Sequence, residues 1–211
     1  MRCFKLDIEK IRSRLQNRSP EPLGIKESYS VLLPLVHLEG EWQILFQVRS
    51  KKISTQPGEV SLPGGGIEPG ENARGAALRE TREELGLKRD KIDMLGELDY
   101  LITPYNLIIY AFLGRIRVRS LSELDYNTAE VGDIFAVPVE YFRDNPPEEY
   151  QIRVESEPTG DFPYELIPGG KDYDWRQGNY SVYFYSYEEF VIWGFTARLI
   201  RAFLKLKYWK Q

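Results

Sequence analysis

An α/β fold, with a mixed sheet sandwiched between helices, is what this 211-residue sequence predicts. Three observations carry that expectation. Strand-like apolar runs recur along the chain, among them Ser28–Leu38 (SYSVLLPLVHL), Trp42–Val48 (WQILFQV) and Leu107–Gly114 (LIIYAFLG). A glycine-rich turn at Pro63-Gly64-Gly65-Gly66 runs into a helical pattern ending near Leu87. Near the C-terminus, Phe190, Trp193, Ala197, Ile200 and Leu204 recur at helical spacing.

Taken in order, Phe4, Ile8, Ile11 and Leu15 predict an amphipathic helix over residues 4–17, ended by Pro20 and Pro22. Residues 1–22 therefore read as a helix and linker added to a domain spanning 23–211. The first two strands read as a hairpin turning at Glu39-Gly40-Glu41. Pro34 within the first predicts an edge position or a bulge, because proline cannot donate to a ladder. Beyond Leu87, Ile92–Leu101 reads as a strand and Thr103–Asn106 as a turn before the buried run from Leu107. Residues 119–133 read as an acidic loop, Ile134–Val139 as a strand and Val139–Phe142 as a helical turn. Strands are expected near Tyr150–Glu155 and Tyr180–Tyr187, then a helix over about Tyr187–Tyr208. The aromatics of this region, Tyr164, Tyr173, Trp175, Tyr180, Tyr183 and Tyr185, suit sheet packing, with adenine stacking as the functional alternative.

Composition narrows the class. A hydrophobic share of 42% and a charged share of 28% are ordinary for a globular protein. The net charge of -4 argues against a general nucleic-acid or membrane-surface binder. A single cysteine, Cys3, gives no intrachain disulfide and fits a reducing compartment. The N-terminus lacks the apolar run of a signal peptide, and no apolar stretch reaches transmembrane length, so a cytoplasmic location is the expectation. His37 is the only histidine and has no His or Cys to accompany it, which makes it a strand residue rather than a catalyst.

The chemistry concentrates between residues 65 and 87. Glu80, Glu83 and Glu84 fall within about one helical turn, with Glu80 and Glu84 on one face. Ala73, Ala76 and Ala77 share that face and would let a ligand approach, while Leu78, Thr81 and Leu85 can pack into a core. Like charges three and four apart destabilise a helix. A hard divalent cation offsets that repulsion, because Mg²⁺ and Mn²⁺ prefer carboxylate oxygen. The plainer reading is a solvated acidic face. Just upstream, Arg49, Lys51 and Lys52 form either a basic surface loop turning at Pro57-Gly58 or an anion-binding rim for a phosphorylated substrate.

The spacing of Gly65, Glu71, Arg79-Glu80, Glu83-Glu84 and Gly86 resembles the signature of the Nudix hydrolase family. Thr81 is the departure, standing where that family has an aliphatic residue. A second resemblance, to the coenzyme A pyrophosphatases of the family, rests on Leu45, Arg49-Ser50, Ile53, Gly58-Glu59-Val60, Leu62 and Pro63-Gly64-Gly65. Ile192-Trp193-Gly194-Phe195-Thr196-Ala197 resembles a further element of that group, whereas Ser54 and Gln56 replace its Arg and His.

The resemblance implies a Nudix fold and hydrolysis of a pyrophosphate bond in a nucleoside diphosphate derivative with Mg²⁺ or Mn²⁺ as cofactor. Glu80, Glu83 and Glu84 would be the metal carboxylates, with the Gly65 carbonyl as a backbone ligand. Glu80, or a loop acid such as Glu130 (Asp133 next), would take the proton of the attacking water. Arg79 and Glu71 would orient the carboxylates, and Arg49, Lys51, Lys52 and the Gly64, Gly65, Gly66 turn would meet the substrate. Coenzyme A as substrate would give 3',5'-ADP and 4'-phosphopantetheine. The alternatives are ADP-ribose, NADH or a nucleotide sugar as substrate, or a non-catalytic nucleotide-binding module. The implied partner is a small nucleotide-type molecule, with neither nucleic acid nor membrane, and a homodimer is the assembly the sequence leaves open.

Overall fold

Burial on both faces explains why the first strand reads as an almost unbroken apolar run. The computed structural model describes residues 6–206. In chain order these form α1 (Ile8–Gln16), β1 (Glu27–Leu38), β2 (Glu41–Arg49), β3 (Val60–Ser61), β4 (Gly64–Gly66) and α2 (Ala73–Leu85). There follow β5 (Ile92–Glu97), β6 (Leu101–Ile102), β7 (Leu107–Ile116), β8 (Val131–Pro138) and α3 (Val139–Asp144). The chain closes with β9 (Glu148–Val154), β10 (Gly178–Tyr187), β11 (Phe190–Trp193) and α4 (Gly194–Lys205).

The main sheet runs β3-β2-β1-β7-β5, with β4 added to β1, β6 to β7 and β8 to β2. It is mixed: β1 and β7 are parallel, from Glu27↔Leu107 to Leu35↔Arg115, and the other pairings are antiparallel. Side chains alternate across β1, so Leu32, Val36 and Leu38 pack with Ala77 and Leu85 of α2 on one face. Leu33 joins Ile44, Phe46, Tyr185, Ile192, Ile200 and Phe203 on the other. That second face is roofed by α4 and an antiparallel sheet ordered β11-β10-β9. The predicted sandwich is therefore present, with α2 and α4 on opposite sides.

Four local outcomes differ from the expectation. Pro34 lies in a central strand without a bulge. Its flank changes partner there, from β4 opposite Tyr29–Val31 to β2 opposite Leu35–Leu38, so no ladder donor is missed. The expected strand 92–101 is two strands, β5 and β6. The acidic loop ends earlier, because β8 begins at Val131 and carries Asp133. The C-terminal helix starts at Gly194 rather than near Tyr187: Glu188 has positive φ, so the chain turns and Phe190–Trp193 pairs with β10. Phe190 and Trp193 thus belong to a strand, although their spacing fits a helix.

At the N-terminus α1 is capped by the Asp7 carboxylate, which accepts from Lys10 N at 3.0 Å, and buries none of its residues. Cys3, Phe4 and the expected helical residues 207 and 208 lie outside the described residues.

Candidate active site

The site begins with two capped ends of α2. Asn72 caps the N-terminus by accepting from Gly75 N at 2.8 Å. Gly86 caps the C-terminus in the left-handed conformation, its N–H donating to Arg82 O. A side chain at Gly86 would also collide with the carbonyl of Asp125, because the loop after Leu124 lies directly on this helix end. Asn127 N donates to Glu84 O at 2.8 Å, and Ser50 N donates to Glu130 O at 2.8 Å. Through these contacts the helix terminus and β2 hold Glu130 opposite Glu80 and Glu84.

Small residues let α2 and the sheet approach. Ala76 and Ala77 are fully buried and Ser30 Oγ donates to Ala73 O at 2.6 Å. The three alanines therefore serve helix–sheet packing, not ligand approach, since β1 already covers them. Thr81 is likewise buried, its Oγ1 donating to Ala77 O at 2.6 Å, so a hydroxyl is accommodated where an aliphatic side chain was expected.

The three helical glutamates differ sharply in environment. Glu84 is 5% exposed and accepts from Gly64 N at 2.8 Å. Burial pushes its pKa up to about 7, helped by the charges of Glu80 and Glu130 and opposed by the Gln47 amide and the Gly64 N–H. Burial also raises the pKa of Glu80, against the opposing pull of Arg79. Glu83 points outward, its side chain 58% exposed.

Arg79 ties the acidic side chains together. Its guanidinium donates to Glu80 at 2.7 Å, to Glu71 at 3.0 Å, to Glu83 at 3.3 Å and to the Gly66 carbonyl at 3.0 Å. The hydrogen bond from Arg79 holds the Glu71 carboxyl below its ordinary range. Gly65 is needed for close approach: a Cβ there would lie 2.5 Å from Glu80 Oε1.

These groups open onto a cavity of about 890 Å³ lined by Glu80, Glu84, Glu130, Arg49 and the Gly64–Gly66 turn, with Tyr29, Tyr105 and Phe195 on its apolar side. A second cavity of about 280 Å³ shares Arg49, Gln56, Ser61, Tyr105, Phe195 and Thr196 with it and extends to Val182, Trp193 and Arg198. The hydroxyls of Tyr105 and Tyr180 meet at 2.9 Å where the two sheets come together.

Of the residues predicted from sequence, Glu80, Glu84, Glu130, Arg49, Gly64, Gly65 and Gly66 line one cavity. Arg79 and Glu71 stand behind it. Lys51 and Lys52 are exposed and outside the lining, and Asp133 turns back to its own backbone neighbour, Ile134 N, at 2.8 Å. Arg49 spends part of its guanidinium on Thr55 O, at 3.0 Å from Nη2. Sequence reasoning missed Gln47, Tyr29, Tyr105 and Thr196. Two of them carried a signal: Gln47 is a polar residue inside the apolar strand run ILFQV, and Thr196 stands in the Ile192–Ala197 element.

No three carboxylate, His or Cys groups converge at metal-ligand spacing among the described residues. Arg79 accounts for this, since it draws Glu80 and Glu83 to itself. The donor set nevertheless fits a hard divalent ion. It consists of oxygen ligands, and Glu84 is a buried carboxylate that makes no ion pair among the described residues, beside a Gln47 Oε1 that lacks a hydrogen-bond donor.

The architecture and the glycine-to-glutamate signature define a family. The NUDIX domain family matches residues 29–155, and the chain belongs to it. Over 145 residues the sequence is 35% identical to Nudix hydrolase 3 of Caenorhabditis elegans, covering 65% of this chain and 58% of that one. Over 122 residues it is 35% identical to the peroxisomal coenzyme A diphosphatase NUDT7 of Mus musculus, covering 54% and 48%. The chain spans about half the length of curated relatives such as these. A MutT/nudix family protein from Enterococcus faecalis shares the fold at a TM-score of 0.50 and 14% identity, over 95% of this chain and 69% of that one. No helix among the described residues is long and apolar enough to cross a membrane.

Proposed function

We propose that the protein is a divalent-metal-dependent pyrophosphohydrolase that cleaves the diphosphate of coenzyme A or its derivatives to 3',5'-ADP and 4'-phosphopantetheine or its acylated form. The observation that carries the reading is the buried Glu84 carboxylate, which makes no ion pair among the described residues and shares a cavity with Glu80, Glu130 and Arg49.

Glu80, Glu84 and the Gly65 carbonyl are the groups that would hold Mg²⁺ or Mn²⁺, with Glu83 joining them on release from Arg79. A bound ion supplies neutralisation of the diphosphate and a water of lowered pKa. Glu130, whose backbone carbonyl accepts from Ser50 N, would take the proton of the attacking water. Arg79 acts behind the carboxylates, fixing Glu80 and the Gly66 carbonyl. Arg49 contacts phosphate oxygens once its hydrogen bond to Thr55 is exchanged.

The substrate reading is supported by the similarity to the coenzyme A diphosphatase NUDT7 and by the second cavity. Its apolar walls at Val182, Trp193 and Phe195 suit an elongated non-nucleotide arm, and Arg198 suits a further phosphate. Gln56 lines both cavities where the resembling group has His, which keeps ADP-ribose and NADH as the second reading. A single cysteine suits a reducing compartment, the cytoplasm included.

The test is incubation with Mn²⁺ and a pool of coenzyme A, ADP-ribose and NADH, with products identified by mass spectrometry. Release of 3',5'-ADP supports the assignment. Turnover of ADP-ribose or NADH with none of coenzyme A removes it, and no hydrolysis of any of them leaves the binding-module reading.

A further inference from the structure

A groove of about 520 Å³ lies at the opposite end of the main sheet, lined by Lys91, Arg115, Arg117, Arg119, His37 and Glu123 together with the strand residues between them. β1 and β7 run parallel, so both pass from one site to the other. Tyr29 and Ile109 line the active-site cavity, whereas His37 and Arg115 line the groove. Eight residues of β1 separate Tyr29 from His37, which is about 26 Å at the rise of an extended strand. The groove is therefore a separate place on the molecule.

Its cations are arranged by strand geometry. Ile116 and Val118 are buried, at 1% and 9% exposure, so Arg115, Arg117 and Arg119 all project from the other face of the extended chain. Alternate residues stand about 6.6 Å apart, inside the Debye length of about 8 Å at physiological ionic strength, so the three charges repel. Lys91 joins them from the short 3-10 turn that precedes β5, where its carbonyl accepts from Arg117 N at 2.9 Å.

Little among the described residues answers this charge. None of the ion pairs among the described residues involves Lys91, Arg115, Arg117 or Arg119. Glu123, the acid in the lining, accepts from the backbone N of Arg119 at 2.8 Å. Asp93 is registered opposite Arg115 but makes no ion pair with it. Arg115 instead lies over the Trp42 ring, 5.4 Å from its centroid, which holds the guanidinium at the groove. Four cations that make no ion pair among the described residues, concentrated in one groove, stand out on a chain of net charge -4.

We propose that this groove is a second, non-catalytic site for a small polyanion carrying two or more phosphate groups. Three guanidiniums and an ammonium match that chemistry, because arginine donates bidentate to phosphate oxygens. A groove of about 520 Å³ has room for a diphosphate or mononucleotide. The site does not depend on what the active-site cleft hydrolyses.

The probe is inorganic pyrophosphate, titrated into the full chain in EDTA and followed by amide NMR shifts and calorimetry. Shifts are expected at Lys91 and residues 115–119. Affinity should fall at least tenfold in the triple variant Arg115→Gln, Arg117→Gln, Arg119→Gln, and at least threefold in Arg117→Gln alone. Metal-dependent turnover should remain within twofold of wild type in both variants. Unchanged pyrophosphate affinity in a folded Arg117→Gln variant overturns the proposal. So do shifts confined to Gly64–Gly66 and the α2 carboxylates. A single-stranded oligonucleotide that binds the groove at least tenfold tighter than pyrophosphate overturns the small-molecule assignment in favour of nucleic acid.

Discussion

Gly64 and Glu84 are twenty residues apart in sequence and joined by a 2.8 Å hydrogen bond from the glycine N–H to Oε2. That bond fixes a carboxylate in a buried place where its charge is disfavoured. Glu84→Gln keeps an acceptor for the Gly64 N–H but removes the charge, so kcat should fall by at least about a thousandfold, the scale of losing a transition-state interaction worth about 4 kcal/mol. The melting temperature in EDTA should not fall. Steady-state kinetics beside thermal unfolding checks both, and near-normal activity would show that Glu84 holds no ion.

The same carboxylate makes metal-free stability depend on pH. With its pKa raised to about 7 when folded, the native state holds a proton that the unfolded chain has already released. Stability from this group is thus present below the unfolded value near 4.5 and declines as pH rises towards 7. The loss is at most about 3 kcal/mol by proton linkage. Urea unfolding in EDTA at pH 5 and pH 8 should show the decline in wild type and a smaller one in Glu84→Gln. Added Mn²⁺ should recover the wild type at pH 8.

Arg79 reaches three carboxylates and a carbonyl from one planar group. Lysine cannot reproduce that fork. Both Arg79→Ala and Arg79→Lys should lower kcat by at least about a hundredfold, and the alanine variant should lose about 1–3 kcal/mol of stability as the half-buried acids lose their partner. Recovery by lysine would mean that charge alone is required.

Gly86→Ala places a side chain in a left-handed position against the Asp125 carbonyl. The conformation alone costs about 1–2 kcal/mol, and relief of the collision moves the loop that carries Glu130. A drop in both urea midpoint and kcat is expected, without change in the affinity for pyrophosphate at the arginine groove.

Phe195 belongs to both connected cavities. Phe195→Ala should raise KM for the preferred substrate about tenfold with kcat within threefold, the pattern of lost ground-state binding. An equal fall in kcat would place Phe195 in transition-state positioning instead.

Much of this was legible in sequence because spacing encodes it. The positions of Gly65, Glu71, Arg79, Glu80, Glu84 and Gly86 follow from one turn and one helix, and local geometry brings them together. Glu130 was legible only by order, since its place depends on Ser50 and Asn127, contacts between distant segments. Gln47 met Glu84 only once β2 lay beside α2. Phe190 and Trp193 fitted a helix by period alone, and the left-handed Glu188 decided for a strand. Pro34 looked like an edge signal because a change of partner along one flank leaves no trace in periodicity.

The roof formed by β9, β10, β11 and α4 bears on how the chain can be divided. The segment shared across the family stops at residue 155, yet Tyr185, Ile192, Ile200 and Phe203 beyond it cover Leu33 and Phe46. A recombinant fragment cut at that boundary would keep Glu80, Glu83, Glu84 and Glu130 and present a naked oily sheet face to solvent. It should express as inclusion bodies, however intact its signature.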